Sequence, residues 1–249
     1  MRKLKNNEHV DSEVSDTKTA ADFVIKEETK KPTIKQTIWE YVKMIITVIV
    51  IVFVINNVIL INARIPSASM EQTIMTGDRV FGFRLSYGIN WNLFGKQISK
   101  QYSDPQRYDI VIFRYPDDES QLFIKRLIGL PGDTLVISKG KVYVMNDFKD
   151  TDKLEMDPKT RELYVNGEVY ELNEEDALDD SFCHELPNGR GDGIYHVPED
   201  CYFMMGDNRN NSHDSRFWEN KYVRFDQLVG KAMFRYFPTP KLLTAKYED

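Results

Sequence analysis

The chain has 249 residues, with 39 Asp and Glu against 33 Lys and Arg for a net charge of -6; 41% of residues are hydrophobic and 12% aromatic. That content excludes a disordered or collagen-like chain, and the length suffices for one large domain or two small ones with a core. The acidic balance argues against a nucleic-acid binder working through phosphate neutralisation, and two cysteines cannot build a disulfide scaffold.

Residues 1–36 are rich in Lys, Glu, Asp and Thr and predict a disordered tail. From Met44 to Ile61 the chain reads MIITVIVIVFVINNVILI, apolar except for Thr47, Asn56 and Asn57. Eighteen helical residues are about 27 Å long, close to the roughly 30 Å hydrocarbon core of a bilayer. Trp39 and Tyr41 suit the interfacial belt. A cleaved secretory signal would have a shorter apolar run nearer the N-terminus, so residues 37–62 read as a permanent signal anchor. Lys30, Lys31, Lys35 and Lys43 precede the run and only Arg64 closely follows it. The positive-inside rule then places the N-terminus in the cytoplasm and the rest of the chain outside a cell membrane crossed once.

Beyond the span come short apolar or alternating segments at 78–85, 109–116, 121–129, 133–145, 162–172, 201–207 and 230–237. They are rich in Val, Ile, Phe and Tyr and predict a mainly antiparallel β domain. Asn166-Gly167 marks a two-residue hairpin, Lys139-Gly140-Lys141 a second tight turn, and Pro131-Gly132-Asp133 a break between strands. Residues 146–192 hold fifteen acidic and five basic residues, a net of -10, which leaves +4 for everything else. This stretch reads as an inserted acidic β subdomain, between catalytic-core segments at 63–145 and 193–249. A solvated acidic face explains it better than a calcium site, because no Asp-x-Asp-x-Asp-Gly spacing is present.

Three segments hold groups that can do chemistry. IPSASMEQTIMTGD (65–78) places Ser69 among small residues eight positions beyond Ile61. In QLFIKRLIG (121–129) strand alternation puts Phe123, Lys125 and Leu127 on one face and Leu122, Ile124, Arg126 and Ile128 on the other. A lysine on an apolar face is desolvated, which lowers its pKa and lets it accept a hydroxyl proton; on this stretch alone, a lysine snorkelling to a strand edge is the plainer reading. GDNRNNSHDSRFW (206–218) packs Asp207, Arg209, Ser212, Asp214 and Arg216, mutually pairable groups, into one loop.

Taken in order, Pro66-Ser-Ala-Ser-Met70, the run FIKRLIGLPGD (123–133) and the run GDNRNNSHDSR (206–216), after a membrane span, resemble the type I signal peptidase family. The resemblance covers the span and most of 64–145 and 200–237. It implies a β-rich catalytic core with a second, variable β domain inserted between the second and third motifs. It also implies removal of signal peptides from exported preproteins at the outer membrane face, after small residues at -1 and -3. Ser69 would be the nucleophile and Lys125 the general base, with Ser212 hydrogen-bonded to Lys125. The Ser69 N–H and Ser67 hydroxyl would form the oxyanion hole, and Asp207, Arg209, Asp214 and Arg216 would support the loop through ion pairs. Ile65, Met70, Ile74, Phe123 and Ile124 would line a shallow substrate pocket. No cofactor or metal is implied, and the partners would be signal peptides and the lipid bilayer, with no nucleic acid. The chain departs from the family pattern at Gln72, where Pro is usual, at Asn210, where Asp is common, and at Phe123, often Tyr.

Three alternatives remain beside that reading: a Ser-His hydrolase using His213, an inactive anchored β protein that binds secreted polypeptides, and a metal site from Cys183, His184, His196 and Cys201. The last matches no familiar zinc spacing. Cys183 and Cys201 read equally as a disulfide or as two free thiols.

Overall fold

The structure, a computed structural model, describes residues 33–93, 96–148, 151–183 and 189–243. Most of the expected tail, with His9, Lys30 and Lys31, lies outside these residues, as does His184. The chain separates into two compact units, Met1–Val48 and Ile49–Asp249. Helix α1 (Ile34–Val54) starts in the first and is followed by a π-helical turn at Ile55–Ile59. Together they form a 26-residue helix that is long and apolar enough to cross a membrane.

The helical run stops short of the apolar run. Asn57 turns its side-chain amide back onto the Phe53 carbonyl at 2.8 Å, and Leu60 and Ile61 leave the helix for a strand. Burial decides this: Ile61 is covered in the core, where a strand satisfies its backbone in the sheet. At the other end, Ile34–Gln36 are helical rather than part of a tail.

The second unit is antiparallel in every described strand pairing. Its strands are β1 (Leu60–Arg64), β2 (Arg79–Phe83), β3 (Gly88–Leu93), β4 (Lys96–Gln101), β5 (Ile110–Tyr115), β6 (Asp118–Gly129), β7 (Thr134–Ser138) and β8 (Lys141–Val144). There follow β9 (Leu154–Met156), β10 (Leu163–Val165), β11 (Glu168–Tyr170), β12 (Gly193–His196), β13 (Cys201–Met205), β14 (Val223–Arg224), β15 (Leu228–Phe237) and β16 (Lys241–Leu242). The main sheet runs β1-β2-β15-β5-β6-β13-β14, with β16 added beside β15. β12-β7-β8 and β11-β10-β9 are separate three-stranded sheets, the latter inside the acidic stretch, and β3-β4 is a lone hairpin. Both turns expected from the sequence form hairpins. Lys139 and Gly140 between β7 and β8, and Asn166 and Gly167 between β10 and β11, take positive φ, as a two-residue turn matched to strand twist requires.

β5 and the second half of β6 hold the centre because both of their faces are covered there. Ile110 and Ile112 pack with Ile61, Met70, Ile74 and Ile124, whereas Val111 and Phe113 pack with Leu127, Met204 and Trp218 on the opposite side. β6 therefore carries Lys125 through the interior, flanked in sequence by Ile124 and Arg126 on the other face.

Candidate active site

Ser69 lies in a single 3₁₀ turn (Ala68–Met70) directly after β1. Met70 and Ile74 anchor that turn in the core, both fully buried. From across the sheet, Lys125 brings its Nζ to 2.5 Å from Ser69 Oγ and 3.1 Å from the Ile124 carbonyl. Both side chains are buried, Lys125 to 4% exposure. Burial lowers the Lys125 pKa from 10.5 to about 8, against the smaller opposing pull of the Asp214 and Asp207 charges. A hydroxyl in contact with an amine that is half neutral near pH 8 is a pair able to pass a proton. Ser67, on the exposed side, holds its hydroxyl 3.4 Å from that of Ser69.

The loop after β13 closes the site from the third side. The Asn208 N–H and side-chain amide reach the Ser69 and Ala68 carbonyls, each at 3.1 Å, and pin the serine turn. Arg216 grips Asp214 through two bonds of 2.8 and 2.9 Å. Burial alone would raise the Asp214 carboxyl; the Arg216 fork and the Gly206 N–H hold it below its usual range. A Cβ on Gly206 would collide with the Ser69 carbonyl oxygen and the Ser212 hydroxyl, so the close approach of the two loops depends on glycine there.

Several expected contacts are not the ones formed. Asp207 pairs with Arg126, at 2.8 and 2.6 Å, and accepts the Thr73 hydroxyl at 2.5 Å. Arg209 forms no ion pair with it: its guanidinium lies 5.6 Å over the Phe182 ring, with Nε and Nη1 lacking a hydrogen-bond partner among the described residues. Arg126 has the better geometry because it emerges from β6 next to Lys125 but on the opposite face, where Asp207 is buried. Nor is a Ser212–Lys125 hydrogen bond present among the described residues; the buried Ser212 hydroxyl instead helps hold the Asp214 carboxyl down.

These groups border an open cleft of about 550 Å³, lined by Ser67, Ser69, Leu122, Phe123, Ile124, Lys125, Ser212 and His213 among others. Of the five residues expected in the substrate pocket, Phe123 and Ile124 line it. Ile65, Met70 and Ile74 are instead at most 2% exposed and pack in the core with Ile110, Ile112 and Ile124. His213 is exposed on the cleft, its ring 6.3 Å from that of Phe217, and the described bonds of Ser69 Oγ go to Lys125 and Ser67. Cys183 and Cys201 are free, so the disulfide alternative is not formed.

Sequence reasoning missed Arg126, Thr73 and Asn208 as parts of this network. Arg126 adjoins Lys125 on a strand whose alternation had already placed it on the other face, which was the available signal.

A model for signal peptidase, peptidase S26, matches residues 38–237. The chain belongs to the peptidase S26 signal peptidase family. Its members are serine protease hydrolases that remove signal peptides and are associated with membranes, and the apolar N-terminal helix is consistent with such an anchor. A signal peptidase I of Pseudomonas fluorescens is 36% identical over 216 residues, 82% of this chain and 74% of the relative. One of Rickettsia typhi is 34% identical over 221 residues, 77% of each chain. A solved signal peptidase I from Enterococcus faecalis V583 is 25% identical and covers 52% of this chain and 97% of its own, with a TM-score of 0.29. That overlap is too loose to support the fold, which rests on the strand pairing above.

Two outcomes follow from this geometry. Gly206→Ala should fold yet cut preprotein cleavage by about a hundredfold, the scale expected when site groups move by about an ångström; activity within twofold of wild type would contradict the close-approach argument. Because the folded chain lowers the Lys125 pKa from 10.5 to about 8, it carries a disfavoured buried ammonium below pH 8. Stability is therefore reduced below pH 8 by about 3 kcal/mol, and the deficit fades as pH rises toward 10.5. Lys125→Met should raise the unfolding midpoint at pH 7 and give a smaller gain at pH 10; no gain at pH 7 would contradict the desolvation.

Proposed function

We propose that the chain cleaves signal peptides by Ser69–Lys125 catalysis at the outer face of the membrane, after small residues at -1 and -3. The observation that carries this reading is the contact between a buried, pKa-lowered Lys125 and Ser69 in a member of a serine protease family.

In the proposed cycle Lys125 Nζ takes the Ser69 proton as Oγ attacks the scissile carbonyl carbon. The carbonyl oxygen becomes an oxyanion, received by the Ser69 N–H and the Ser67 hydroxyl. Collapse breaks the C–N bond, and the leaving amine takes the proton from Lys125. Water, deprotonated by Lys125 Nζ, then attacks the acyl ester; Oγ leaves and recovers that proton from Lys125. Ser212, 2% exposed, is the proposed orienting neighbour of Lys125, acting by packing and by a hydrogen bond made once substrate closes the cleft. Asp207 and Asp214, fixed by Arg126 and Arg216, hold the loop that carries it, while Arg209 supports that loop by stacking on Phe182. The reaction uses these side chains alone, without cofactor or metal.

Selectivity is proposed to be steric. Phe123 and Ile124 form the cleft wall beside the reacting pair, while Met70, Ile65 and Ile74 support the serine turn from the core without lining the cleft. Such a wall excludes a large side chain by overlap. The cytoplasmic N-terminus and outer location rest on the Lys asymmetry around the span. The short stretch of chain between Ile61 and Ser69 supports cleavage close to the membrane surface. The acidic stretch 146–192 is proposed to be a solvated insertion built on the β9–β11 sheet.

Ser69→Ala and Lys125→Ala should each abolish cleavage of a preprotein by the purified full-length chain while far-ultraviolet circular dichroism is unchanged. Substantial turnover by either variant would sink the dyad, and a large loss in His213→Ala alone would favour a Ser-His hydrolase. Because the base must be neutral, the rate should fall about tenfold per pH unit below about 8, the Lys125 pKa. A flat profile from pH 8 to pH 5 would contradict a lysine base.

A further inference from the structure

Phe123 is the aromatic residue on the cleft wall, and it is only half-buried. Three other rings hold it. Tyr115 stacks on it with centroids 4.4 Å apart and planes within 5°. Trp218 and Phe113 meet it at 6.0 and 6.5 Å, tilted by 63° and 64°. Phe113 and Trp218 are fixed by complete burial. Tyr115 is not; it sits at the outer end of β5, only partly covered, with its ring edge-on to Trp218 at 5.3 Å. Its hydroxyl is held by Asp117. This exposed carboxylate accepts the Tyr115 hydroxyl at 2.8 Å, the Glu219 and Asn220 N–H groups at 3.1 and 2.8 Å, and the Asn220 side-chain amide at 2.8 Å. Through it, the β5–β6 turn is clasped to the chain just beyond Trp218, on the segment that continues from Ser212 and Asp214.

We propose that Tyr115 and Asp117 are positioning residues for substrate selectivity: through the Tyr115–Phe123 stack they fix the cleft wall, and so limit the size of the residue accepted before the scissile bond. Neither residue touches the reacting pair. Phe123 has one free side, toward the cleft, and one backed face, toward Tyr115; without the backing ring its side chain can swing away and the site widens. The same ring lies 5.5 Å from Lys125 Nζ, so the wall it forms directly adjoins the proposed base. The inference rests on the catalytic reading above.

The test uses the full-length protein and matched preproteins carrying Ala, Val or Leu at -1. Wild type should cleave the Ala substrate and discriminate strongly against the others. Tyr115→Leu and Asp117→Ala should raise the Val-to-Ala and Leu-to-Ala ratios of kcat/KM by about tenfold, the scale set by one or two methylenes in a pocket. Tyr115→Phe keeps the stack, loses only the hydroxyl bond, and should give a smaller rise. Unchanged ratios in folded variants overturn the proposal, as does an equal loss on all three substrates that follows the drop in melting temperature. If Tyr115→Leu fails to fold, Asp117→Ala, at an exposed position, decides by the same ratios. Failure of the wild type to cleave the Ala substrate would count against the catalytic reading, whereas unchanged ratios with turnover intact count against this inference alone.

Discussion

The desolvation of one amine governs the arrangement around it. An ammonium in water is strongly hydrated, and removing that hydration is what brings Lys125 from 10.5 to about 8. The interior that does this also contains Asp207 and Asp214, both buried, whose charges act in the opposite direction. Two unpaired carboxylates so placed would retain the proton on Lys125. Each is instead taken by an arginine in a two-bond fork, Asp207 by Arg126 and Asp214 by Arg216. An arginine stays charged at any accessible pH and matches a carboxylate in shape, so it neutralises the acid without competing for the proton. The buried ion pairs are thus a condition for a neutral lysine, more than a source of net stability, which buried pairs seldom provide.

The fold was legible where the local signal is strong. Strand periodicity at 121–129 correctly separated the faces of β6, and the Asn166-Gly167 and Lys139-Gly140 turns form the expected hairpins. The β3–β4 hairpin was missed although Ile89, Trp91 and Leu93 alternate with Gly88, Asn90 and Asn92 in β3, because its partner β4, KQISKQ, has one apolar residue and gives no matching alternation. The end of the helix was misplaced because Leu60 and Ile61 are as apolar as the residues before them; only the partner strand β2 tells a buried strand from a continuing span.

The candidate site shows the same division. Ser69 and Lys125 were recognisable as a pair only through the ordered motifs, since 56 positions separate them in sequence. Which carboxylate meets which arginine was not recoverable from the loop alone. Asp207 and Arg209 are two residues apart and look like partners, yet the chain direction after Gly206 turns Asp207 inward toward β6. Burial of Met70 and Ile74 was likewise invisible, because an apolar residue beside a nucleophile reads equally as pocket wall or as core.

Where the cleft lies follows from where a ladder ends. β13 pairs with β6 at Phe203, Met204 and Met205, the last opposite Arg126, and then departs at Gly206. The next β6 residue toward its start is Lys125, which is still paired with β5 on the other side. The departure of β13 leaves room at that point for a non-strand element, and the serine turn occupies it, tied to the departing chain by Asn208. Continuing the ladder by one more pair would fill the position from which Ser69 meets Lys125. A side chain at Gly206 would push the two loops apart. The reacting pair therefore depends on an interruption in the sheet as much as on the residues themselves, and the interruption is held open by a glycine that brings no side chain of its own.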